Sequence, residues 1–132
     1  MLTSFIPSKQ SPIAETKFEW QGKAKCPSYC LEVSSCKSGA GLRIKKCGGT
    51  SKQKWKRDGS VIRPSCSSSL YLSDGEVKKG SSSVDFSSSG KFEIRKSGRC
   101  LTQMHHPREG EPVEFRSCTK ARKSDTSKWV WK

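Results

Sequence analysis

At 132 residues the chain is long enough for one domain with a single modest core. Apolar residues make up only 31% of it, and no stretch approaches the roughly 18 consecutive apolar residues of a membrane-spanning helix. Its net charge of +14, from 26 Lys plus Arg against 12 acids, implies affinity for polyanions or anionic surfaces.

Residues 1–16, with Pro7, Ser8, Ser11 and Pro12, read as a flexible leader or an arm lying on a partner. The opening Met1-Leu2-Thr3-Ser4-Phe5-Ile6-Pro7 has neither a basic start nor a continuous apolar run, so it does not read as a secretory signal. Lys17-Phe18-Glu19-Trp20 copies Lys91-Phe92-Glu93-Ile94, which marks a strand at residues 17–22. Cys30-Leu31-Glu32-Val33 then leads to Cys47 and to Gln53-Lys54-Trp55. The same order returns as Cys100-Leu101-Thr102-Gln103, Cys118 and Ser127-Lys128-Trp129. A fainter copy lies between, with Cys66, Leu70-Tyr71-Leu72, Val84-Asp85-Phe86 and Phe92-Glu93-Ile94. A period of roughly 40 residues predicts an internally repeated fold, with copies near 26–65, 66–99 and 100–132. Spacing from Trp20 would align Cys26 with Cys100. The shared Cys-Leu favours Cys30, which makes 26–29 a small insertion.

Nothing shows a helical period. Residues 41–47 and 112–116 alternate apolar and charged positions, as half-buried strands do. Gly39, Gly48-Gly49, Asp58-Gly59, Asp74-Gly75, Gly80, Gly90, Gly98 and Gly110 punctuate the chain at short intervals. Asp58-Gly59 and Asp74-Gly75 are hairpin dipeptides. Short strands so spaced predict an all-β barrel or sandwich.

Seven cysteines imply disulfides in an oxidising compartment, or metal. Zinc needs clustered ligands, commonly two close pairs. These cysteine spacings are irregular, and adjacent His105 and His106 would face opposite sides of an extended strand. Neither metal nor cofactor is therefore expected. Equivalence between copies favours Cys30–Cys47 and Cys100–Cys118 as bridges, each contributing about 3 kcal/mol through loop entropy. Cys26 and Cys36 can form a third, which leaves Cys66 buried or paired with another molecule.

The repeat resembles the ricin B-type lectins, whose copies run Cys-Leu-Asp-Val, an alternating strand ending in Cys, and a Gln-x-Trp turn. Cys30-Leu31-Glu32-Val33, Leu42-Arg43-Ile44-Lys45-Lys46-Cys47 and Gln53-Lys54-Trp55 match best, and the likeness covers about residues 17–132. It implies a β-trefoil of three copies. The last copy ends one strand short at Trp131-Lys132, and residues 17–22 would supply that strand, closing the barrel by pairing the N- and C-terminal strands. Trp55, Phe86, Trp129, Leu42, Ile44, Val113 and Phe115 are then core residues. Neutral-sugar sites of that family use an Asp after Cys-Leu, a polar residue and an aromatic platform on the alternating strand, and an Asn-Gln pair before the Trp. Here those positions hold Glu32, Arg43, Lys45, Lys52 and Gln53. In the last copy they hold Thr102, Glu114, Arg116 and Ser127. Without an aromatic platform, neither copy stacks a galactose ring.

Cations replace the platform. Residues 43–57 carry Arg43, Lys45, Lys46, Lys52, Lys54, Lys56 and Arg57 with no acid among them. Arg43 and Lys45 alternate with Leu42 and Ile44, so both project from one face, joined by Lys52, Gln53 and Lys54 from the next turn. Such a face suits sulfate, phosphate or carboxylate. The expected ligand-binding residues are Glu32, Arg43, Lys45, Lys52, Gln53, Lys54 and Arg116. The expected function is a non-catalytic, lectin-like module for a sulfated or uronic glycan, an anionic lipid surface or an acidic protein surface, in a secreted or otherwise oxidising setting. The alternative is a docking subunit whose basic loops hold acidic neighbours in a larger assembly. Nucleic acid is less favoured, because single-strand binders interleave aromatics with their cations and Trp55 belongs to the core. No catalytic motif accompanies His105 and His106, which read as part of a polar loop at 104–107, so no enzyme is expected. Glu109 and Glu111 read as ordinary surface residues of a turn.

Overall fold

Tyr29, Leu31, Val33, Leu42 and Ile44 are apolar at every second position, and a pleated strand turns such residues to one side. The computed structural model, which describes residues 18–20, 29–86, 91–103, 109–124 and 126–131, puts all five in the core. Strand β1 (Phe18–Trp20) is followed by β2 (Tyr29–Val33) and β3 (Leu42–Lys46). Two hairpins come next. β4 (Trp55–Asp58) turns through Gly59-Ser60 into β5 (Val61–Pro64), and β6 (Leu70–Leu72) turns through Asp74-Gly75 into β7 (Val77–Lys79). Both follow the hairpin dipeptides of the sequence. β8 (Arg95–Lys96) and β9 (Arg99–Thr102) flank Ser97-Gly98, where φ is 52° and 75°. A two-residue turn with both angles positive continues the twist of its strands. β10 (Glu114–Ser117) runs directly into α1 (Cys118–Lys123), and β11 (Trp129–Trp131) comes last.

These strands form four sheets, ordered β11-β1-β2-β3, β10-β9-β8, β4-β5 and β6-β7. Strands β1 and β11 pair antiparallel, Phe18 opposite Trp131 and Trp20 opposite Trp129, as the shortfall of one strand in the last copy predicts. No sheet closes on itself among the described residues, so the pairing of the terminal strands is found without the closed barrel. Isolated bridges add further links: Gly41, just before β3, to Glu76; Arg43 on β3 to Pro112; and Trp129 on β11 to Phe92. The main core includes Trp55, Trp129, Leu31, Ile44, Ile62, Leu72, Ile94 and Leu101, and a smaller cluster gathers Cys100, Cys118 and Ala121. Each such aliphatic side chain contributes about 1.5–3 kcal/mol on burial. The two tryptophans are held alike, Trp55 Nε1 donating to the Leu31 carbonyl at 3.1 Å and Trp129 Nε1 to the Leu101 carbonyl at 3.0 Å.

Three expectations need correction. Phe86 is half-buried at the edge of the core; the interior place in that segment goes to Val84. Cys66 is not left over, because it bonds to Cys36, and Cys36 therefore does not pair with Cys26. Cys26 lies outside the described residues, as do the 1–16 leader and His105-His106. The third correction is α1 itself, a helix the sequence did not show. Its start is capped by the Ser117 hydroxyl, which accepts from Lys120 N at 3.4 Å, and Ala121 anchors it inward. Six residues are under two turns, too few for a helical period to register. The expected bridges Cys30–Cys47 and Cys100–Cys118 are both present. Three disulfides fit an oxidising compartment. No helix among the described residues is long and apolar enough to cross a membrane.

Candidate functional site

Strands β2 and β3 set Glu32 opposite Arg43 and Cys30 opposite Lys45, on the face turned away from Leu31 and Ile44. A charged side chain on that face would ordinarily meet water. Glu32 nevertheless has only 5% of its surface exposed, because the 3₁₀ turn Ser51–Gln53 folds over it. Both of its oxygens are used. Arg43 closes on Oε2 through Nε and Nη2, each at 2.7 Å, and Gln53 Nε2 donates to Oε1 at 3.1 Å. Gln53, 2% exposed, also donates to the Lys46 carbonyl at 2.8 Å and accepts from Gly48 N at 2.8 Å. A buried carboxylate holds its charge only when so paired.

Around this cluster stand Lys45, half-buried on β3, Lys52, exposed on the 3₁₀ turn, and Lys54, half-buried before Trp55. None of the three is in an ion pair among the described residues. Of the sequence-predicted residues, hydrogen bonds bring Glu32, Arg43 and Gln53 together; Lys45 is two residues from Arg43 on β3, and Lys52 and Lys54 flank Gln53 in the chain. Arg116 is not with them: it lies on β10 opposite Cys100, exposed, and pairs with Glu114 at 2.5 Å. At the corresponding place in the last copy, Thr102 replaces the carboxylate. Its Oγ1 donates to the Thr126 carbonyl at 2.7 Å and lies 2.8 Å from Thr126 Oγ1.

No protein-family model matches the chain, and no curated protein sequence does. Solved structures do. The β-trefoil lectin of the Vibrio vulnificus hemolysin/cytolysin, determined with N-acetyl-D-lactosamine bound, superposes with a TM-score of 0.63 at 15% identity, over 89% of this chain and 94% of that one. A structure described as a mosquitocidal holotoxin superposes with a TM-score of 0.74 at 16% identity over 93% of this chain. The present chain spans only 17% of that toxin. The chain shares the β-trefoil fold of the Vibrio vulnificus lectin.

Two features of this trefoil escaped the sequence reading. Glu109 and Glu111 belong to a turn that folds against β3: Glu109 Oε2 accepts from Lys46 N at 3.1 Å, and the Glu111 carbonyl accepts from Ile44 N at 3.1 Å. The acids of the last copy thus lie along the cationic strand of the first, a juxtaposition across a long stretch of chain with no local signal. Glu93 is the second. Arg122 Nε and Nη2 each meet its carboxylate at 2.7 Å, and Ser127 Oγ donates at 3.0 Å. The hydrogen bonds from Arg122 chiefly hold the Glu93 pKa down at about 2 against the opposing effect of burial, with Ser127 and the nearby charge of Lys128 assisting. The Arg122 pKa is raised in return. Only the copying of Lys17-Phe18-Glu19 by Lys91-Phe92-Glu93 hinted that this acid had a fixed place.

Proposed function

We propose that residues 17–132 form one trefoil domain of three copies, closed through β1 and β11, that serves as a non-catalytic lectin-like module for an acidic glycan. One observation carries the reading. Both oxygens of Glu32 are committed to Arg43 and Gln53, while Lys45, Lys52 and Lys54 have no acid partner among the described residues. A ligand on this face meets hydrogen-bond donors and positive charge, and the Glu32 carboxylate has no oxygen left to take neutral hydroxyls. That balance suits sulfate or carboxylate groups. The sugar-bound lectin neighbour supports the glycan class, and the three disulfides support a secreted setting. Arg116, apart from the cluster, would act as a separate contact in the last copy.

The test is retention on an array of sulfated, uronic, sialylated and neutral glycans, beside anionic lipid and nucleic acid, at low and physiological salt. Selective retention of one acidic glycan class at the higher salt, abolished by combining Lys45→Ala with Lys52→Ala, is the expected result. Uniform weak retention on every polyanion that vanishes with salt would defeat it. That result would leave a charged face without a site, as a docking subunit would have.

A further inference from the structure

One concavity shares no residue with the Glu32 cluster. It is an open cleft of about 450 Å³ lined by Asp85, Phe86, Phe92, Glu93, Arg95 and Lys128, a size suited to a small ligand. Two aromatic residues are among those that line it. Phe86, half-buried, leans on the buried Phe92 with ring centroids 6.5 Å apart and planes tilted by 46°. Asp85 and Arg95 are fixed across from each other by two backbone hydrogen bonds of 2.8 Å, and both are exposed. Glu93 is committed to Arg122 and Ser127. Neither the Asp85 carboxylate nor the Arg95 guanidinium is in an ion pair among the described residues, and the Lys128 ammonium, near enough to Glu93 to act on it electrostatically, makes no ion pair with it.

We propose that this cleft is a subsite for a hexuronic acid, a sugar that carries a carboxylate. Three requirements of such a ligand are met by different walls. The C–H face of a pyranose, slightly positive, lies favourably on the negative face of an aromatic ring, here Phe86. Its carboxylate receives charge-assisted bonds from Arg95 and Lys128. Its hydroxyls donate to Asp85. A neutral sugar would forgo the ion pairs, and a simple inorganic anion would forgo the ring, so the cleft selects for the combination. The proposal rests on the glycan-binding reading but uses none of the lysines that carry it. Either site can fail without the other.

Methyl glucuronide is the probe, titrated into the whole chain by calorimetry or NMR with methyl glucoside as the neutral control. Saturable binding is expected, at least about tenfold tighter than for the glucoside. A similar loss is expected in Arg95→Ala and in Phe86→Ala, with no change in Lys45→Ala combined with Lys52→Ala. Lys128→Ala supplies an independent weakening if Phe86→Ala disturbs folding. Equal affinity for the two sugars, indifference to Arg95→Ala, or no saturable binding at millimolar probe would overturn the proposal. Loss of binding in the Lys45/Lys52 double variant would move the uronic acid to the other face and overturn it equally.

Discussion

Two carboxylates show how differently one residue type is used here. Glu32 sits beneath the 3₁₀ turn and gathers three donor contacts, two of them from Arg43. Removing it takes one of three hydrogen bonds from the buried Gln53 amide and leaves a partly covered guanidinium without its partner. Glu32→Ala is therefore expected to cost about 1–3 kcal/mol, read as a lowered urea midpoint with an unchanged slope. Lys45→Ala on the neighbouring position should stay within about 0.5 kcal/mol, since no described acid depends on it. Glu93 contributes to stability in a pH-dependent way. Its pKa in the fold lies at about 2, below the ordinary 4.5, so its contribution is complete above that ordinary value and is lost as pH falls toward 2. Thermal melts across this window should fall more steeply for the native chain than for Glu93→Gln, and Arg122→Ala should flatten the slope in the same way. Equal slopes in all three would refute the assignment.

Elements repeat their chemistry where the sequence repeats its letters. Each of the two Trp indoles donates to the carbonyl of the Leu in its own Cys-Leu strand. Trp55→Phe and Trp129→Phe should each leave that carbonyl unsatisfied, at about 1–3 kcal/mol. Chemical-denaturation curves that show comparable losses for both would establish the equivalence, and a neutral effect in either would break it. This symmetry was legible because Cys, Leu and Trp are spaced alike in both copies. So was the alternation of Leu42 and Ile44 against Arg43 and Lys45. Two things were not legible. The middle copy lacks the cysteine pair and the Gln-x-Trp turn, so nothing in its letters distinguished Val84 from Phe86 as the interior residue. Alternation also shows which cations share a face without showing that Glu32, across the strand pair, has already taken Arg43.

On the scale of the molecule, the covalent links divide into two kinds. Cys30–Cys47 and Cys100–Cys118 each bond a β-strand to the segment that follows the next strand, with sequence separations of 17 and 18. Cys36–Cys66 spans 30 residues and ties the loop after β2 to the end of the β4-β5 hairpin. Loop entropy alone ranks them at about 3.1, 3.2 and 3.6 kcal/mol. Replacing Cys36 and Cys66 together by Ala should therefore lower the melting temperature at least as much as replacing Cys30 and Cys47. A much smaller loss would show that the chain lacking this bond keeps the contact when unfolded. The long bond was invisible in the sequence because its partners belong to different copies, and repetition teaches only the pairings that recur.

The antiparallel pairing of β1 with β11 also decides how the fold answers to force. Phe18 faces Trp131, so a load applied at these residues pulls apart one backbone pair at a time instead of shearing the whole ladder at once. The sheet peels from that edge at low tension, releasing Glu19 from Val130 and then Trp20 from Trp129. Unravelling then meets Cys30, where the bond to Cys47 removes the enclosed segment from the extensible length. Under tension the molecule thus has a soft seam leading to a covalently fixed stop.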